Sequence, residues 1–113
     1  MNIHFYTSTG NRAGKKYTVY ITDCPAIGCK HHTLHFGASG YSDYTQHHDK
    51  ERRNRYIERH QTREDWRNYR TPGFWARWVL WNQPTIYEGL QEISHYLNAP
   101  IYWHKKNGIV VIT

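Results

Sequence analysis

Apolar and polar residues alternate at the start of the chain, with Ile3 and Phe5 set against His4 and Tyr6. A short strand is predicted within residues 1–9, followed by the turn cluster Ser8-Thr9-Gly10-Asn11. Residues Lys16 to Asp23 are rich in β-branched and aromatic side chains, and Lys30 to Phe36 alternates again. With Cys24-Pro25-Ala26-Ile27-Gly28-Cys29 between them, these two runs predict a β-hairpin. Residues Gly37 to Thr45 have turn formers and no period, which predicts an ordered loop pinned by Tyr41 and Tyr44.

The pattern then changes period. From Asp49 onward, strong helix formers mixed with acids and arginines predict a helix of three to four turns, which breaks near Gln61-Thr62 or continues to Tyr69. Its apolar side is thin, with Tyr56 and Ile57 beside His60. Thr71-Pro72-Gly73 is a helix start, with Thr71 as N-cap and Pro72 in the first turn. The residues that follow, Phe74 to Trp81, carry rings around most of the circumference and predict a core helix ended by Pro84. Thr85 and Glu88 have capping-box spacing, and Ile86, Leu90, Ile93 and Leu97 form the cleanest amphipathic stripe, stopped at Asn98-Ala99-Pro100. Residues 101–106 and 109–113 flank Asn107-Gly108 and predict a terminal hairpin. The fold class expected is α+β: one domain over residues 1–113, with small antiparallel hairpins or a sheet packed on about three helices.

Composition sharpens this picture. Aromatic residues make up 16% of the chain, so rings rather than aliphatic side chains must supply much of the core. Fifteen Lys and Arg against nine Asp and Glu give a net charge of +6, which favours acidic partners: nucleic acid, an acidic protein surface or a lipid headgroup layer. No apolar run is long enough to span a bilayer, and the first residues lack the pattern of a secretion signal, so folding in a cytosol-like compartment is expected.

Seven of the nine arginines lie between Asp49 and Arg70. On one continuous helix Arg52, Arg55, Arg59 and Arg63 would share an arc of about 80°, a stripe suited to phosphate or carboxylate oxygens. Arg67 extends the run, and Tyr41, Tyr44 and Trp66 lie in polar contexts where a ring is free to stack on a base. The competing reading is a solvated helix face laced by Glu51, Glu58, Glu64 and Asp65. Trp75, Trp78 and Trp81 fit core packing better than base stacking.

Cys24, Cys29, His31, His32 and His35 have zinc-binding atoms, but the spacing is loose, and the cysteines read better as small apolar residues beside a turn. Asp43, His47, His48, Asp49, Arg52, His60 and Glu64 contain the groups of a metal-dependent nuclease without matching a nuclease motif. No catalytic residue, metal ligand or cofactor is assigned.

Gly40-Tyr41-Ser42-Asp43-Tyr44-Thr45, Arg55-Tyr56-Ile57-Glu58-Arg59-His60 and Gly73-Phe74-Trp75-Ala76-Arg77-Trp78-Val79-Leu80-Trp81 carry a resemblance. Over about residues 16 to 94 the chain resembles a family of small uncharacterised proteins of large DNA viruses of algae and protists. That resemblance implies a viral origin and no activity. The expectation is a virus-encoded structural or assembly protein, a minor virion component found in the virion or host cytoplasm. It would bind acidic surfaces of neighbouring proteins or packaged nucleic acid, and its terminal strands would add to neighbours. A nucleic-acid-binding protein of viral replication or expression is the second expectation, and a metal-dependent nuclease the third.

Overall fold

The computed structural model describes residues 1–8, 14–22 and 31–113. Strands β1 (Asn2–Thr7), β2 (Lys15–Thr22) and β3 (His31–Ala38) come first, then helices α1 (Tyr44–His47), α2 (Lys50–His60) and α3 (Pro72–Trp75). A π-helical turn over Ala76–Leu80 continues α3 directly. Helix α4 (Ile86–Leu97) and strands β4 (Ile101–Lys105) and β5 (Gly108–Ile112) complete the chain. The α+β class is as expected, and so are both hairpins. Cys24, Cys29 and the turn residues Thr9-Gly10-Asn11 lie outside the described residues. None of the described helices is long and apolar enough to cross a membrane.

The strands form one sheet in the order β3-β2-β1-β4-β5. Neighbours are antiparallel except β1 and β4, which run parallel with Ile3 opposite Ile101 and Phe5 opposite Trp103. The sheet is therefore mixed rather than antiparallel throughout. This placement corrects the expectation that both terminal strands are open to neighbours: β1 has both edges paired, and only β5 of the two lies at the rim.

Period-2 alternation buries Ile3, Phe5, Val19, Ile21, Phe36, Ile101 and Ile112 on the sheet face that meets the helices. Phe74, Trp75, Val79 and Leu80 pack on them from α3 and the π-turn, and Leu90 and Ile93 from α4. Trp75 is fully buried and donates its indole N–H to the Tyr69 carbonyl at 2.7 Å, so it is a core residue, as its apolar setting predicts. The buried Ser94 hydroxyl lies 2.6 Å from the Ala99 carbonyl oxygen and 3.3 Å from that of Ile112, joining α4 to the segment before β4 and to β5.

The caps show how local chemistry sets the helix ends. Thr71 accepts the Phe74 amide, with Pro72 in the first turn, as predicted. Thr85 accepts the Glu88 amide at 3.2 Å, but the Glu88 carboxylate receives the Thr85 hydroxyl at 2.8 Å instead of the backbone amide expected of a capping box. A reciprocal box occurs instead at α1, where Asp43 accepts the Thr45 amide and the Gln46 side-chain oxygen accepts the Asp43 amide. Asp43 is buried and also receives the Lys16 ammonium at 2.8 Å, which fastens the loop before α1 to β2.

Candidate functional site

Helix α2 has one buried residue, Tyr56. A helix so polar needs another anchor, and a column of rings supplies it. Tyr56 stacks on Trp81 at 4.4 Å with planes 4° apart and on His60 at 4.3 Å. Arg53, on the same inward side, donates to the Asn82 carbonyl at 3.1 Å and lies over the Tyr44 ring at 5.6 Å. With residues 53, 56, 57 and 60 turned inward, the opposite side of α2 faces water.

That outer side carries Arg52, Arg55 and Arg59, all exposed, within an arc of about 60°. Among the described residues none of them makes an ion pair or a side-chain hydrogen bond, and the same holds for Arg63. Arg63 is exposed too, but α2 ends at His60, so it follows the helix in a turn and the four-residue helical stripe is a three-residue one. The positive field is felt nearby: Arg52 adds to burial in holding the His47 imidazole below its ordinary range. Asp49 caps the helix by accepting the Glu51 and Arg52 amides.

Arg67 and Trp66 lie beyond Arg63 in a different setting. They line a cavity of about 240 Å³ together with Phe74, Trp78, Glu92, Ile93 and Tyr96. Trp66 is half-buried and donates its indole N–H to Glu64 at 2.6 Å, while its backbone carbonyl accepts the Trp78 indole N–H at 2.8 Å. The Arg67 side chain is 90% exposed and 3.7 Å from Asp65. The Glu92 carboxylate is held by two side-chain amides, from Asn82 to one oxygen and from Gln83 to the other at 2.6 Å.

Behind this cavity sits Arg77. It is 9% exposed, lies over the Trp78 ring at 4.4 Å and the Trp66 ring at 5.2 Å, and reaches the Trp81 carbonyl at 3.4 Å. Its Nε has no partner, and burial, followed by Arg53, lowers its pKa. Nothing in the sequence around Arg77 signals that it is buried. Tyr96 and Glu92 were likewise missed, because nothing local to each residue signals that they meet, while Trp78 packs against the core as expected and also borders the cavity.

The two tyrosines part company. Tyr41 is exposed, beside Lys15 and Lys16 in a shallow depression. Tyr44 is buried under Arg53 with its edges against His47 and His48, so it anchors the loop and offers no free ring face. Another group of rings, His4, Tyr6, Tyr102 and His104, lies on the sheet face away from the core. These stack on one another, Tyr6 on His104 at 4.2 Å and His4 on Tyr102 at 5.1 Å, and Tyr6 stays exposed.

Of the residues considered for a nuclease, Asp43, His48, Asp49 and Arg52 lie near enough to His47 to act on its pKa, but their polar groups are engaged one by one. Asp43 is tied to Lys16, His47 accepts the Asp49 amide, His48 meets the Pro84 carbonyl and His60 meets Glu64. Among the described residues no three His, Cys, Asp or Glu side chains are grouped as metal ligands.

A family model matches residues 4–60, half of the chain, from β1 through the end of α2. The chain belongs to the family of unknown function DUF5754. The DUF5754 match takes in the arginine arc and the Asp43 box, while the ring-lined cavity lies beyond its end at residue 60. Neither a curated protein nor a solved structure matches the chain.

Proposed function

We propose that this DUF5754 chain is a non-enzymatic binding domain that holds nucleic acid by its phosphates on the outer side of α2. The observation that carries this reading is the arc of Arg52, Arg55 and Arg59, exposed and without an intramolecular acid partner among the described residues. Guanidinium groups left unpaired on a chain of net charge +6 gain most from an anion that repeats along its length, as phosphates do. Arg63 and Arg67 continue the positive surface toward the ring-lined cavity, and a site with rings beside arginines suits nucleic acid better than a carboxylate-bearing protein surface.

The test is a salt titration of binding to a labelled single-stranded oligonucleotide. The wild-type chain should bind at low salt with a steep dependence on salt. Arg55→Ala plus Arg59→Ala should flatten the logarithmic slope by about 1.4, two contacts at roughly 0.7 each for a single strand. No binding at low salt, or an unchanged slope in the double variant, would refute it.

A second reading, assembly as a minor virion component, is supported by β5. This rim strand exposes Ile109 and Val111, 58% and 54% accessible, beside an open backbone edge suited to strand addition. The viral origin behind it is inferred from the sequence resemblance. Purified particles of the encoding virus should contain the chain at a fixed copy number, and its absence from them would remove this reading.

A further inference from the structure

We infer that the chain forms a two-fold dimer in which β5 pairs antiparallel with β5 of a second copy, so that the two sheets run on as one. The inference takes the rim named in the second reading above and commits it to a partner of the same sequence. It stands whether or not a virion contains the chain.

Among the described residues no strand pairs with the outer edge of β5. Native sheets blunt such an edge with lysine, proline or a bulge, because an open row of amides and carbonyls invites another strand. β5 reads Gly-Ile-Val-Val-Ile in unbroken register with β4 and has none of these devices. Ile112 is buried on the core side, so period-2 alternation puts Val110 on that side and Ile109 with Val111 on the outer face, and all three are exposed. The opposite rim differs: β3 turns at Gly37, whose φ is +79°, and carries His31, His32 and His35. An edge kept flat and apolar is the one suited to being covered.

The ladder with β4 fixes which backbone groups are open. Lys105 and Gly108 pair directly across the turn Lys106-Asn107, which only a hydrogen-bonded pair allows. Hydrogen-bonded and non-hydrogen-bonded pairs alternate from there, so Val110 and Ile112 turn their amides and carbonyls to β4, while Ile109 and Val111 turn theirs to the rim. A second β5 laid antiparallel about a two-fold axis at Val110 puts Ile109 opposite the partner's Val111, and Val111 opposite the partner's Ile109. Each open amide then meets an open carbonyl. The same register joins the exposed Ile109 and Val111 of both copies into one apolar strip and sets Val110 against the partner's Val110. A slip of one residue would face the open groups with groups already bonded to β4. A two-fold contact requires a patch that complements itself, and β5 meets that requirement in backbone and side chains alike.

The experiment is sedimentation equilibrium of the full chain over a range of concentrations. The mass should rise from 13.6 kDa towards twice that value as concentration passes through roughly the micromolar range, as suits an interface of small area. Val111→Pro deletes an amide that β4 does not use, and edge strands accept proline at such positions, so this variant should keep its melting temperature and stay monomeric. Ile109→Lys plus Val111→Lys sets like charges opposite one another across the axis, at side chains already exposed, and should raise the dissociation constant about tenfold or more. Val110→Cys, made together with Cys24→Ser and Cys29→Ser, should join two copies by a disulfide when oxidised with glutathione disulfide, because Cα atoms of a non-hydrogen-bonded pair lie ~4.5 Å apart. A mass of 13.6 kDa at every concentration up to about 1 mM would overturn the inference. A dimer that persists in both the proline and the lysine variants would place the contact elsewhere and overturn it too. A dimer without the Val110→Cys disulfide would overturn the axis at Val110. Dimers of a chain that particles lack would support this inference and remove the virion reading, and a monomer that particles contain would do the reverse.

Discussion

Gly89 lies against the carbonyl of Trp78: a Cβ at that position would sit 2.6 Å from the oxygen and 3.1 Å from the Val79 Cα. Helix α4 and the π-turn thus approach backbone to backbone, closer than any side chain allows. The two elements meet beside the cavity, whose wall Trp66, Arg67 and Phe74 complete.

Gly89→Ala separates two opposing effects. Alanine gains about 1 kcal/mol of helix propensity over glycine. The methyl group meets backbone, which cannot rotate aside, and overpacking of this kind typically costs ~1–3 kcal/mol, so a net loss of stability is expected. Urea denaturation should give a lower midpoint for Gly89→Ala than for the wild type. An unchanged or higher midpoint would show that the two elements have room to part.

Elements whose signal is local were readable from the sequence. The stripe Ile86, Leu90, Ile93 and Leu97 became α4 with the expected ends, and Asn107-Gly108 turns the last hairpin. Pairings that depend on distant segments were not. Nothing in residues 2–7 says that β1 will lie parallel to a strand ninety-odd residues later, or that the rings from Phe74 onward need a π-turn to turn Trp78 toward a cavity and Arg77 behind it. The arginine arc was readable because helical spacing is a local property, and it was overextended to Arg63 because the end of α2 depends on the packing of Tyr56 and His60 around Trp81.

Arg77 should matter for stability through its stem and its contact with rings. Arg77→Ala removes the packing and the desolvated cation–π contacts, and a loss of about 2–3 kcal/mol is expected. Arg77→Met keeps most of the apolar stem and removes a buried charge whose Nε is unpartnered, so it should cost less than half as much. Equal losses in the two variants would mean that the charge itself carries the effect.

Two histidines make the fold sensitive to acid. His47 accepts the Asp49 amide on Nδ1 at 2.9 Å, so its neutral form has the proton on the buried Nε2, and a second proton on Nδ1 would break that bond. His104 and His4 share one hydrogen bond of 2.8 Å, which both rings cannot keep when both are protonated. Burial is the main cause holding the pKa values of His47 and His104 below the ordinary 6.5, assisted by Arg52 in one case and His4 in the other. In the window between the depressed folded values and 6.5 the unfolded chain binds more protons, so stability is full above that window and falls as pH drops through it. Urea midpoints should decrease from about pH 7 to about pH 5, and the decrease should be shallower in His47→Asn plus His104→Gln. The same decrease in the double variant would assign the sensitivity to other groups.

Asp49 offers a way to separate the charge of the α2 interface from its shape. Its carboxylate caps the helix by accepting the Glu51 and Arg52 amides, and those bonds, the Arg52 amide first, lower its pKa. It is also a negative charge at the start of the arginine arc, close enough to feel Arg55. Asp49→Asn keeps an oxygen for the cap and removes the charge. The melting temperature should change little, while affinity for an oligonucleotide at low salt should rise because a repulsion of the phosphates has gone. Asp49→Ala removes the cap as well and should lower the melting temperature. Unchanged affinity in Asp49→Asn, with its melting temperature also unchanged, would mean that the anion does not approach this end of α2, and that the arginines there serve only to keep the helix in water.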